Sequence, residues 1–234
     1  MTASSAQRGP NRQRLPTLLA GSELGVRLAA APAAYSTPRL SPDGQRLAYV
    51  LGNSLEISSV TGTGSPMTIV AGDAVPQHPV WSADGQALHY TLGRQLWRVR
   101  IEGAGRRTLG DSGPILSLVA SPDGSGLYYS RLGRRFTLCR RSVDGAAEQI
   151  IEEGLPVASI AVSRKFLYFM RADMNLYALP LAGGPAERIG PIPKFAKNLT
   201  GAWDTRFAVS PDDSAIIWTL IESPEVDLEI LRSS

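Results

Sequence analysis

Apolar and polar residues alternate along most of this chain in short bursts with a period of two, not 3.6. The clearest bursts are RLAYV, ALHYTL, GLYYS, FLYFM and AIIWTL. Each is rich in β-branched and aromatic residues, which predicts strands buried on at least one face. A shorter apolar stretch precedes them, as in HPVW, SLVA, SIAV and RFAV. A third strand is predicted at SLEISSV, QLWRVRI, FTLCRRSV, NLYALPL and DLEIL. A Gly-rich turn then leads into a last short strand, MTIV, RRTL, EQII or AERI. Four strands joined by tight turns make one antiparallel sheet. Helical spacing occurs only in ELGVRLAA at 23–30, outside these units.

The link between the first two strands of each unit repeats. It reads SPDG at 41–44, SADG at 82–85, SPDG at 121–124 and SPDD at 210–213, with a decayed copy at Ser163, Arg164 and Lys165. The anchoring serines, Ser41, Ser82, Ser121, Ser163 and Ser210, are 41, 39, 42 and 47 residues apart. A period of about 40–45 residues with four short strands per unit is the signature of a β-propeller blade. The fold expected is therefore all-β, a propeller of four-stranded antiparallel blades numbering about five to six, over 36–234. Residues 1–35 form a leader or tail that is partly disordered or closes the ring. The fifth unit lacks a clear fourth strand, so the chain is a closed ring or a piece of a longer parent; an unclosed ring would leave open blade edges. Within the turn, Ser and Asp side chains hydrogen-bond nearby backbone N–H groups, Pro presets φ and Gly tolerates positive φ. Asp43, Asp84, Asp123 and Asp212 are accordingly read as turn caps, and Trp81, Trp97, Trp203 and Trp218 as packing between blades.

SPDG followed by an L-x-Y strand, an LYxxxL strand and a Gly-rich turn resembles the repeat of TolB-type propellers, a WD40-like repeat architecture of bacterial proteins. Similar repeats occur in propeller domains joined to winged-helix regulators, to membrane serine/threonine kinases and to prolyl-oligopeptidase-type peptidases. The resemblance covers about 36 to 232, and the last unit, SPDDSAIIWTLIESPEVDLEIL, looks most like the closing blade of propellers appended to regulators and kinases. It implies a fold shared by unrelated activities. The sequence shows no kinase, winged-helix or hydrolase segment, so those activities are not carried over.

Composition changes the picture little. The chain has 234 residues, 43% hydrophobic and 19% charged, with no apolar run near the length of a membrane span. Its net charge of +3 is uneven: residues 1–40 carry five Arg and one acid, so the remainder is slightly acidic. Three Arg before LPTLLAG and the small residues of AAAPAA suit a secretory signal, but Glu23 and Arg27 interrupt the apolar stretch. Cytoplasmic and periplasmic locations both stay open. The single Cys139 excludes an internal disulfide.

Candidate chemistry is sparse. LGDSGPI at 109–115 is close to the G-D-S-G-G-P around a chymotrypsin-type nucleophile, which would make Ser112 the nucleophile with His78 or His89 as base. One Gly is missing, and Gly, Asp and Pro are expected in a connection between blades. There is no G-x-S-x-G elbow, no phosphate-binding G-x-x-x-x-G-K loop and no zinc spacing among two His and one Cys. Asn198-Leu199-Thr200 matches a glycosylation sequon by pattern only. A non-catalytic role without cofactor or metal follows as the expectation, a hydrolase or lyase working in the channel being the alternative. Binding residues are sought where the repeats disagree. Four residues before each anchoring Ser stand Thr37, His78, Ser117, Ser159 and Arg206, polar where their neighbours are apolar. With Gln77, Asp73, Asp111 and Asp204 they are expected to form a channel mouth for a protein or peptide partner or an anionic ligand. The Arg-rich span 94–141, with ten Arg and three acids, is a second candidate, but strand alternation scatters its charges and argues against a nucleic-acid face. The expected roles are a protein-interaction or sensing module, alone or within a larger regulator or kinase, and alternatively a periplasmic TolB-like envelope component.

Overall fold

The computed structural model describes residues 35–102, 105–145, 147–192, 207–222 and 225–232, and every regular element among them is a strand. The first sheet is β1 (Tyr35–Leu40), β2 (Arg46–Leu51), β3 (Ser54–Ser59) and β4 (Met67–Ala71). The second is β5 (Pro76–Trp81), β6 (Ala87–Leu92), β7 (Gln95–Arg100) and β8 (Arg107–Asp111). The third is β9 (Ile115–Ala120), β10 (Gly126–Leu132), β11 (Phe136–Ser142) and β12 (Gln149–Leu155). The fourth is β13 (Ala161–Val162), β14 (Phe166–Met170), β15 (Asn175–Pro180) and β16 (Glu187–Pro191). The fifth, with three strands among the described residues, is β17 (Phe207–Val209), β18 (Ala215–Glu222) and β19 (Glu225–Arg232). Each sheet is an antiparallel meander whose strand order follows the chain. The first strands pack in succession, β1 on β5, β5 on β9, β9 on β13 and β13 on β17. These are the expected blades of an all-β propeller, about five in number, with the predicted strands in their predicted order. The helical spacing at 23–30 and the sequon at 198–200 lie outside the described residues.

Strand alternation explains why the blades stack. Successive side chains leave a strand on opposite faces, so a blade between two neighbours must be apolar on both. In β10, Leu127 and Tyr129 pack with Val80, Leu96 and Leu109 of the preceding blade, whereas Tyr128 packs with Ile160, Leu167 and Phe169 of the following one. In β14, Leu167 and Phe169 face back and Tyr168 and Met170 face forward, onto Phe207 and Trp218. Ala48, Val50, Leu55 and Ile57 meet Trp81, Leu88 and Tyr90 in the same way between the first two blades. Among the described residues the core is thus four slabs, each between two consecutive blades, and not one central cluster. Direct bonds supplement them: Trp81 Nε1 donates to the Arg39 carbonyl across the first interface at 2.9 Å, and Ser130 Oγ donates to the Ala158 carbonyl across the third.

The turn works as its residues suggest. In the first blade the Ser41 amide donates to the Arg46 carbonyl at 2.8 Å, and the Arg46 amide donates to Ser41 Oγ at 2.9 Å. Ser41 Oγ in turn donates to Asp43, whose carboxylate also accepts the Gln45 amide at 3.0 Å. Gly44 sits at φ 73°, in the left-handed region where a Cβ is strained. Ser82, Asp84 and Gly85 repeat every one of these bonds. At Ser163 the loop is two residues shorter, yet the serine Oγ still accepts the amide that opens the next strand, Phe166 N, at 3.0 Å. In the fifth blade Asp213 stands where the others have Gly, at φ 64°, and its carboxylate accepts a 2.7 Å hydrogen bond from Tyr168 Oη of the preceding blade.

Because Leu127 is fully buried in the slab between the second and third blades, Leu127→Ala is expected to destabilise the chain by about 2–5 kcal/mol. Urea unfolding followed by tryptophan fluorescence measures it; a loss below about 1 kcal/mol would show that this slab does not hold the blades together.

Candidate functional site

The meander sorts every turn to one of two faces. Links between first and second strands and between third and fourth strands lie at one end of a blade. Second-to-third turns and the connections onward to the next blade lie at the other. The Ser-x-Asp-Gly turns therefore line one face. The connections 72–75, 112–114 and 156–160 line the opposite one, together with the turns at 52–53, 93–94 and 133–135.

Of the expected mouth residues, Asp73, Gln77, His78, Asp111 and Ser159 fall on or beside this connection face. His78 departs most from regular strand geometry. Gln77 pairs with Thr91 and Val80 with His89, so His78 and Pro79 together oppose Tyr90. That is a β-bulge of two residues against one, a device that re-aims side chains and raises local twist. His78 occupies it at φ 51°, half-buried, in a region a non-glycine residue seldom adopts. The first blade repeats the two-against-one count, with Thr37 and Pro38 opposite Tyr49. Gln77 is exposed, and its carbonyl accepts Thr91 Oγ1 at 3.2 Å. Asp73 is exposed, and its carbonyl accepts Asn53 Nδ2 at 3.3 Å. Asp111 Oδ1 accepts the Gly113 amide at 2.8 Å, and Oδ2 lies 3.5 Å from Arg94 Nε. That amide bond, and then the Arg94 and Arg141 charges, hold the Asp111 carboxyl below its ordinary range.

The remaining members of the column divide. Ser117 pairs with Ser130 inside the sheet and is half-buried. Ser159 Oγ accepts the Phe207 amide at 3.4 Å, tying the fourth blade to the fifth. Arg206 and Asp204, like the side chain of Thr37, lie outside the described residues. Asp73, Gln77 and His78 thus gather at the entry to one inner strand, Asp111 stands at the end of the same sheet's outer strand, and Ser159 is occupied in joining blades.

The protease-like LGDSGPI does not assemble into a catalytic group. Ser112 is buried, and its hydroxyl donates to the Arg94 carbonyl at 3.2 Å, while neither ring nitrogen of buried His89 has a hydrogen-bond partner. No Ser–His hydrogen bond links the two. Among the described residues no three His, Cys, Asp or Glu side chains converge as metal ligands would, and no helix is long and apolar enough to cross a membrane.

No family model matches the chain, and no curated protein matches it. Solved structures do. TolB from Acinetobacter baumannii superposes with a TM-score of 0.69 at 16% identity, over 88% of this chain. A TolB from Agrobacterium tumefaciens, described as putative, superposes at 0.67, again at 16% identity and over 88%. The fold is that of a TolB-like β-propeller. This chain spans 53% of the Acinetobacter protein's length and 79% of the Agrobacterium protein's. At that identity the likeness carries the architecture and leaves the activity to the residues themselves.

Within this TolB-like propeller two of the ten arginines of 94–141, Arg141 and Arg107, are struts between blades. Arg141, 8% exposed, donates from Nη1 to the Leu109 carbonyl at 3.1 Å and from Nη2 to the Asp111 carbonyl at 2.9 Å, so the third blade caps the outer strand of the second. Gly110 is required there, because a Cβ would meet Arg141 Nη1 at 3.0 Å. Arg107 answers in the other direction, donating to the Val143 carbonyl at 2.9 Å. Glu148 accepts Tyr129 Oη at 2.6 Å and Arg131 Nη2 at 3.0 Å. Arg106 lies 4.5 Å above the Trp97 ring, and Arg140 lies 5.9 Å from that of Tyr128. Sequence reasoning missed these roles, since an interblade strut and a solvated arginine look alike in a strand pattern.

His89 has its own signal in the repeat alignment. It is the equivalent of Tyr128 and Tyr168, the residues that face the following blade. Burial, then the Arg98 and Arg107 charges, push its imidazole down to about 4 from 6.5, outweighing the opposite pull of Asp84. Between those pH values the unfolded chain binds a proton that the folded chain does not, so stability falls as pH drops from 6.5 towards 4. The turn carboxylates, lowered chiefly by their serine hydroxyls and for Asp212 to about 2, add a separate loss at still lower pH. His89→Leu removes two unsatisfied buried nitrogens. Its melting temperature is expected to match or exceed wild type at pH 7 and to fall less between pH 6.5 and 4.5; parallel curves would mean that His89 is protonated or solvated in the fold.

Proposed function

We propose that this chain is a non-catalytic propeller scaffold that binds a protein or peptide partner on the face carrying the connections between blades. The observation that carries the reading is His78. It holds a left-handed conformation in a bulge at the start of an inner strand, beside exposed Gln77 and Asp73 and on the same face as Asp111. Backbone strain of this kind costs on the order of 1–3 kcal/mol and gathers at binding and catalytic sites. The opposite face is taken up by the Ser-x-Asp-Gly turns, whose hydroxyls and carboxylates are committed to their own backbone. A rigid ring presenting loops on one face suits recognition of a partner. The burial of Ser112 and the commitment of its hydroxyl to the Arg94 carbonyl favour binding over hydrolysis.

Selection of displayed peptides against the immobilised chain, followed by affinity measurement on those recovered, tests the reading. His78→Asn keeps a residue that tolerates the left-handed region. It is expected to weaken capture at least tenfold while the melting temperature stays within a degree or two of wild type. Undiminished capture would remove His78 from the site. Turnover of ester, peptide or glycoside substrates by the wild-type chain, lost in the same variant, would replace the scaffold reading with a channel enzyme.

A further inference from the structure

The struts leave a residue of unassigned cationic surface. Arg134 and Arg135 sit side by side in the tight turn between β10 and β11, both exposed. Neither forms a side-chain hydrogen bond or an ion pair among the described residues. With Leu132, Phe136, Leu155 and Pro156 they line a hollow of about 310 Å³ that is open to solvent. Phe136 pairs with both Leu132 and Leu155 across the strands, which gathers the apolar groups. Phe136 and Leu155 are nearly closed off, at 8% and 3% exposure, while Leu132 remains 40% exposed. The turn is held by a 3.1 Å hydrogen bond from the Gly133 amide to the Arg135 carbonyl, independent of either guanidinium.

We infer that this cavity binds an extended peptide in which a carboxylate side chain neighbours a bulky apolar one. This deepens the proposed scaffold function and rests on it. Guanidinium forks pair bidentately with carboxylates, while Leu132, the exposed apolar group of the lining, rewards a side chain that leaves water against it. The volume lies at the bottom of the range for small-molecule pockets, about 300–1,000 Å³, so it accommodates a side chain or two and not a cofactor. Single-stranded nucleic acid would need an aromatic face to stack on. Among the described lining residues the one aromatic ring is that of Phe136, at 8% exposure too deeply covered to offer it.

The probe is a fluorescein-labelled peptide Asp-Leu-Glu-Phe-Asp, read by anisotropy with the full chain, beside its Asn/Gln counterpart and an Asp-Ala-Glu-Ala-Asp version. The acidic, apolar peptide is expected to bind at least tenfold more tightly than either control, more weakly as salt rises. The double variant Arg134→Gln/Arg135→Gln is expected to lose that advantage, whereas Arg164→Gln/Lys165→Gln, which removes two charges from the opposite face, keeps it. Equal binding of the neutral peptide, equal loss in both double variants, or no binding of any probe overturns the inference. Tighter binding of a single-stranded DNA oligonucleotide, abolished by the Arg134/Arg135 change, overturns it in favour of a nucleic-acid surface. If partners selected on the wild-type chain still bind the Arg134/Arg135 variant, the cavity falls and the scaffold function stands.

Discussion

A four-stranded sheet with two apolar faces cannot exist alone in water, and this requirement organises everything else in the chain. Burying only one face would leave Leu127 and Tyr129, or Tyr128, in solvent, depending on which neighbour were removed. Each blade therefore depends on the blades before and after it, and its stability is largely a sum over interfaces. The polar groups trapped at those interfaces have to be satisfied there. Arg141 and Arg107 do so by donating in opposite directions across one interface, each to carbonyls of the neighbouring blade.

The turn that repeats along the chain serves the same requirement at close range. Its serine closes the hairpin in every copy, whereas the other members vary. The fourth blade drops two residues from the loop and keeps the bond from Phe166 N to Ser163 Oγ. The fifth replaces Gly by Asp213 at φ 64°, and the strained position is occupied by a carboxylate that bonds Tyr168. Glycine's freedom is therefore one solution to the turn. A side chain that gains a partner on the neighbouring blade is another.

Much of this architecture is legible in the sequence because it repeats. Five copies let a weak period-two signal be averaged, and strand order and turn positions can both be read in that way. Single events are not averaged. The bulge that carries His78 has a two-against-one counterpart at Thr37 and Pro38, and the polar column that flags it also includes Ser117 and Ser159, which the fold uses inside a sheet and between blades. The arginines show the same limit. Their density is visible in the sequence, but whether a given guanidinium reaches a carbonyl on the next blade depends on an interface that joins residues some thirty positions apart.

A consequence for function follows from how the two faces are built. The face of the Ser-x-Asp-Gly turns uses its polar atoms to close hairpins, and it keeps the closing serine in every copy. The connection face is under no such demand: its loops differ in length and composition, as at 72–75, 112–114 and 156–160. Chemical variety accumulates where the fold does not need uniformity. His78, Asp73, Arg134 and Arg135 all belong to loops or strand ends on that face, and none of them closes a repeated hairpin. Recognition by a repeated ring is therefore expected to reside in the positions at which its copies diverge, held in place by those at which they agree.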